Sequence, residues 1–258
     1  MKITKPLVWT GAGVAGAFLL FNAMTFSPDG AYMINKAKKG QFLDGLNTVY
    51  TKFTCSEKGK GLEQLVQEHG QHHKEIAKKL KYNVDSRLLI ALEYAESAGI
   101  GCAVGENYER SVMQLTDPIL HTYKVENPFD VKENIRGGDS HFADLMEKNE
   151  GFTRLAIAAY ITDETKVYKT VWDSRLEIRE IGKKFKRKSK EEIDRLVYNA
   201  IKGHFTDKTR KHVDRVMRYY AELKKKYHEN LQRPAKFRSQ SSSQDFIIGY
   251  SPAYLTQA

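Results

Sequence analysis

Asp85-Ser86-Arg87-Leu88-Leu89-Ile90-Ala91-Leu92-Glu93-Tyr94-Ala95-Glu96-Ser97-Ala98-Gly99 opens on a residue that caps helices and closes on one that stops them. Between the two, Leu88, Leu89, Ile90, Ala91, Leu92 and Ala95 leave no broad polar face, so the segment predicts a helix buried on nearly every side. A buried helix needs a shell of other elements around it. It carries two carboxylates. Glu93, one turn before Glu96, reads as structural. Glu96 falls at the C-terminal end, beside a glycine-bearing loop, where partial desolvation favours the protonated form that a general acid needs.

The flanking sequence supplies the shell. From Gly61 to Tyr82, Leu62, Leu65, Val66, Ile76, Ala77 and Leu80 recur at helical spacing, with Gly70 as a break between one or two surface helices. His69, His72 and His73 could share a face there, but no cysteine or carboxylate cluster at ligand spacing accompanies them, so no metal site is expected. Residues 98 to 112 form a loop with Gly99, Gly101 and Gly105, and Val112 to Leu120 begin an element that Pro118 interrupts. Asn127-Pro128-Phe129-Asp130 reads as a turn and cap into a helix running through Met146. Phe152 to Ile161 is an alanine-rich helix, and residues 191–204 and 207–227 add two amphipathic ones. The fold class is all-α.

The chain has 258 residues, 41% hydrophobic and 11% aromatic, enough for a real core, and it shows no internal repeat. Lys2 and Lys5 precede a run from residue 6 to 26 without any charge. As a helix at 1.5 Å per residue, such a run reaches roughly 31 Å, the thickness of a bilayer core. No small-residue cleavage site closes it, which favours an uncleaved anchor over a removed signal peptide and sends later residues to the outer, periplasmic side. Outside the cytoplasm Cys55 and Cys102 either bridge or remain two separate buried thiols. The net charge of +10 is local: residues 179–238 hold 20 Lys and Arg against eight Asp and Glu, a net +12 that leaves the rest at −2. Such a patch suits anionic envelope polymers or headgroups, or is a solvated helical face; nucleic acid conflicts with the outer location.

Four short segments occur in order over about 65 residues: Ala95-Glu96-Ser97, Val112-Met113-Gln114-Leu115, Asn127-Pro128-Phe129-Asp130-Val131-Lys132-Glu133-Asn134-Ile135, and Ala156-Ile157-Ala158-Ala159-Tyr160. Together they resemble the lysozyme-like domain of soluble lytic transglycosylases, which cut peptidoglycan glycan strands. Asp207 to Val216 is similar to the threonine, aromatic and valine pattern that closes such domains. The resemblance implies Glu96 as the catalytic acid and base, with Ser97, Met113, Gln114 and Tyr160 at the substrate. It implies no cofactor, and a reaction at the MurNAc-GlcNAc bond that ends in a 1,6-anhydro sugar.

The chain departs from the family pattern at three places, with Ser111 before Val112-Met113-Gln114, Ile161 where asparagine usually follows Ala-Ala-Tyr, and Ala98-Gly99 after Glu96-Ser97. Read as a whole, residues 1–27 are a membrane anchor, 28–60 a tether, 61–228 the lysozyme-like domain and 229–258 a flexible tail. The expected role is local wall opening or turnover, in general metabolism, for an envelope-spanning machine or for a phage particle. A muramidase that uses Glu106, Glu109 or Asp117 as a second carboxylate is the enzymatic alternative. A non-catalytic glycan-binding scaffold is the other.

Overall fold

The computed structural model describes residues 27–227 other than 81, 163, 186 and 187. The apolar run of residues 6–26 and the tail from 229 onward lie outside the described residues, and with them the expected anchor and flexible tail. Among the described residues no helix is long and apolar enough to cross a membrane.

The described chain is helical: α1 (Pro28–Lys38), α2 (Phe42–Thr54), α3 (Leu62–Ala77), α4 (Ser86–Ser97), α5 (Asp117–Thr122), α6 (Val131–Lys148), α7 (Thr153–Ile161), α8 (Glu164–Asp173), α9 (Arg175–Lys184), α10 (Lys190–Ile201) and α11 (Asp207–Lys226). No strand occurs among the described residues; two single bridges pair Arg110 with Val104 and with Leu115. The all-α expectation agrees with this.

α4 is the axis of the core. Asp85 accepts the Arg87 N–H as its cap, and Leu88, Leu89, Ile90, Ala91 and Leu92 are all buried. Each large aliphatic side chain so placed contributes roughly 1.5–3 kcal/mol. α3 and α11 pack along α4, α6 packs against α3 and α7, and α7 against α11. α3 runs unbroken through Gly70, contrary to the expected break. Leu62, Leu65, His69 and His73 bury one continuous face, and Gly70 lies within ordinary contact of Ile90. Pro118 likewise begins α5 rather than interrupting an element, since a proline in the first turn lacks only an N–H that would have no partner.

The histidines of α3 serve the core. His69 Nδ1 lies 2.6 Å from Glu93 Oε1, His73 Nε2 lies 2.7 Å from Glu93 Oε2, and His73 Nδ1 lies 2.9 Å from both oxygens of Asp139 on α6. All four side chains are buried. Burial alone would push the His73 imidazole down, but the Asp139 and Glu93 carboxylates outweigh it and raise it to about 10. The chain Asp139–His73–Glu93–His69 thus staples α6, α3 and α4.

Residues 28–54 are two folded helices and not an extended stalk. Lys36 is buried against Asp44 and, at 2.9 Å, Asp117, while the fully buried Arg110 pairs with Asp44 at 2.8 Å and with Asp117. Tyr32 stacks on Tyr108 with ring centroids 3.8 Å apart. Cys55, just past α2, is bonded to Cys102, with the two Cα atoms 5.6 Å apart. The α1–α2 pair is therefore clamped to the loop that follows α4.

Two outcomes are expected. His73→Gln removes one partner from a buried charged chain and destabilises by about 3–5 kcal/mol in urea unfolding. The wild type, whose folded state retains the His73 proton, keeps this contribution below pH 6.5 and loses it as pH rises through about 10, a trend that the variant lacks. Separately, alkylation of the unfolded chain modifies Cys55 and Cys102 only after reduction, and reduction lowers stability by roughly 4 kcal/mol, as for a loop of this length.

Candidate active site

α4 ends in a left-handed turn at Ala98 (φ 52°) and Gly99 (φ 73°). A side chain at Gly99 would meet Leu65 Cδ1 at 2.5 Å, so the turn needs glycine for space as well as for φ. Ser97 Oγ donates to the Val112 carbonyl at 2.8 Å and accepts the Gly99 N–H at 3.1 Å. That hydroxyl ties the end of α4 to the turn carrying Met113 and Gln114.

The turn is held from several directions. Arg110 and Leu115 exchange backbone hydrogen bonds at 3.0 and 3.1 Å, and between them Ser111 (φ 63°) and Gln114 (φ 48°) adopt left-handed backbone. Asn134 on α6 is fully buried; it accepts the Met113 N–H at 2.8 Å and donates to the Arg110 and Pro128 carbonyls. Met113 fills a notch at Gly138, where a Cβ would come within 2.7 Å of it. Its side chain is fully buried beneath the turn. The Met113 carbonyl accepts the Tyr160 hydroxyl at 2.8 Å.

Gln114 and Tyr160 line a groove of about 320 Å³ together with Leu115, Ile119, His141 and Glu164. A larger hollow of about 490 Å³, against Leu62, Tyr94, Tyr219 and Glu222, holds none of the expected site residues. Burial first, and then the Glu96 charge, push the Tyr160 phenol well above its ordinary value, so it acts as a neutral donor. Burial and the nearby Lys148 lower His141 to about 4, which leaves a neutral imidazole in the groove near pH 7.

Glu96 faces a residue that sequence reasoning passed over. Its Oε1 lies 3.1 Å from His212 Nε2 on α11, with the two side chains 14% and 5% exposed. The pair lacks the alignment of a hydrogen bond, and neither atom has another hydrogen-bond partner among the described residues. An uncommitted carboxylate oxygen, shielded from solvent and held against one imidazole, is suited to picking up and releasing a proton. Thr209, His212, Val213 and Val216 recur at helical spacing, the signal that could have placed His212 on the buried face of α11.

Of the expected second carboxylates, Asp117 is engaged by Arg110 and Lys36, while Glu109 accepts from the Asn107 side chain and backbone. Glu106 is exposed.

Residues 73–171 match the family model described as Transglycosylase SLT domain. That span contains Glu96, Ser97, Met113, Gln114 and Tyr160 and ends before His212. The chain is also similar to the membrane-bound lytic murein transglycosylase F of Pseudomonas fluorescens (strain Pf0-1), with 34% identity over 105 residues, 38% of this chain and 21% of that protein. It thus spans about a fifth of the length of this curated relative. With the helical architecture around α4, these matches show that the chain is similar to the SLT transglycosylase family over residues 73–171.

Proposed function

We propose that this protein is a peptidoglycan lytic transglycosylase that cleaves the MurNAc-GlcNAc β-1,4 bond and leaves a 1,6-anhydro-MurNAc end. The observation that carries the reading is the buried, uncommitted Glu96 Oε1 at the end of an apolar helix, near Tyr160 and the Gln114 groove. In this mechanism Glu96 protonates the leaving oxygen as the C1–O bond breaks. The resulting carboxylate then takes the proton of the muramic acid 6-hydroxyl, whose oxygen closes onto C1. Water is not consumed, and the N-acetyl group assists departure. Asp117 and Glu109 are engaged elsewhere, which leaves the exposed Glu106 as the candidate second carboxylate of the three for a muramidase.

Gln114 contacts the N-acetylated sugar from the wall of the groove. Tyr160 holds the Met113 carbonyl and keeps the turn beside Glu96. Ser97 fixes the end of α4. His212 is a positioning residue: its imidazole lies against the Glu96 carboxylate and restrains it. The domain works outside the cytoplasmic membrane, tethered there by residues 1–27, in local opening or turnover of the wall.

Two experiments test this. Purified peptidoglycan is digested by the wild type and by Glu96→Gln, and products are read by mass spectrometry. Anhydromuropeptides are expected from the wild type, with the variant slower by at least about 10²–10⁴-fold; reducing ends without anhydro product would overturn the transglycosylase reading. His212→Phe is expected to lower kcat by roughly tenfold, about 1.4 kcal/mol, with KM retained and the pH profile displaced, and His212→Gln to restore part of the loss.

A further inference from the structure

Phe42, Leu43, Leu46, Tyr50 and Phe53 are exposed, Leu43 and Phe53 by 77% and 71%. On a helix advancing about 100° per residue, these five positions fall within one sector roughly 100° wide. α2 therefore presents an apolar, aromatic-rich stripe along its whole length of about 20 Å, while Gly45, Thr48 and Val49 bury its other side. Soluble surfaces do not ordinarily display such a row without a use for it.

The charges around the stripe identify its partner. Between residues 27 and 60 the acids are Asp29, Asp44 and Glu57, and each is paired, with Lys52, with Lys36 and Arg110, and with Lys60. Lys38 and Lys39 before α2 and Lys58 after it are exposed and form no ion pair among the described residues. An apolar stripe bracketed by unpaired ammonium groups is the composition of a helix lying in the interface of an anionic bilayer. The chain ahead of α1 is of the right kind too: residues 6–26 are uncharged and end one residue before Ser27, which caps α1.

We propose that α2 lies flat on the lipid bilayer, with Phe42, Leu43, Leu46, Tyr50 and Phe53 in the headgroup–acyl boundary and Lys38, Lys39 and Lys58 on anionic headgroups. The inference takes residues 6–26 as the span that brings α2 to the surface; it does not depend on the transglycosylase reading. Because α1 and α2 are clamped to the loop after α4, seating α2 orients the Gln114–Tyr160 groove relative to the membrane.

The full chain is reconstituted in vesicles of phosphatidylethanolamine and phosphatidylglycerol. An environment-sensitive fluorophore is placed on an introduced cysteine in Leu43→Cys, Phe53→Cys or, as the distant control, Lys208→Cys. All three positions are exposed, so the substitutions leave the core intact. Co-sedimentation with vesicles reports on the anchor; quenching by lipid-borne nitroxides reports on α2. The expected result is anchored protein with at least about threefold stronger quenching at 43 and 53 than at 208, weakened when phosphatidylcholine replaces phosphatidylglycerol. Anchored protein with equal quenching at all three sites overturns the inference and leaves the anchor standing. A blue shift without nitroxide quenching, from the chain's own apolar run, or one that vanishes on diluting protein in the vesicles, from a second copy, overturns it as well. Protein that fails to sediment overturns the anchor reading on which it rests.

Discussion

Glu93 is the hinge pin of this molecule. A carboxylate with no access to water is tolerable only when both oxygens are answered, and here His69 and His73 answer one each. His73 is committed in turn to Asp139. α3 and α6 are thereby fixed in rotation and depth about α4, and Glu96 follows Glu93 on the same helix by one turn. The position of the Glu96 carboxylate is inherited from a charged chain buried behind it. Aliphatic packing alone would tolerate small rotations of α4; a bonded histidine–carboxylate chain has directional requirements and does not.

What the sequence revealed, and what it hid, follows from the range of the interactions. The Asp85 cap, the apolar run of α4, the Asp130 cap of α6 and the alanine-rich α7 are short-range signals, and each is found where it was expected. The partners of the α3 histidines lie 20 to 66 positions away, and no local spacing announces them. His212 was quoted only as part of a closing pattern; its contact with Glu96 spans the fold. The burial of Met113 in the notch at Gly138 is just as non-local. A motif names residues that occur together around a cleft, but not whether a given side chain points into the cleft or away from it.

Residues 28–54 show the opposite difficulty. Their sequence reads as a tether because the side of α2 that holds it to the domain is made of small residues, with Gly45, Thr48 and Val49 buried and Asp44 pairing with buried Arg110. The large apolar residues that would have advertised a helix against a core face outward instead. Lys36 and Arg110 sit buried among carboxylates, a combination that composition reads as solvent-exposed surface. The two helices are part of the folded unit, and the disulfide joins them covalently to the loop beside the site.

Ala98, Tyr108, Ser111 and Gln114 all have positive φ, four non-glycine residues in a conformation that costs roughly 1–2 kcal/mol each. Such backbone persists only because its surroundings insist on it. Here those surroundings are Asn134 below, Ser97 at one side, the ion pairs of Arg110 at the other, and the bond from Cys102 to Cys55. The recognisable motif is consequently not a portable unit. Grafted onto another helical scaffold, Glu96, Gln114 and Tyr160 would arrive without the contacts that impose their geometry, and the loop would relax to an ordinary turn.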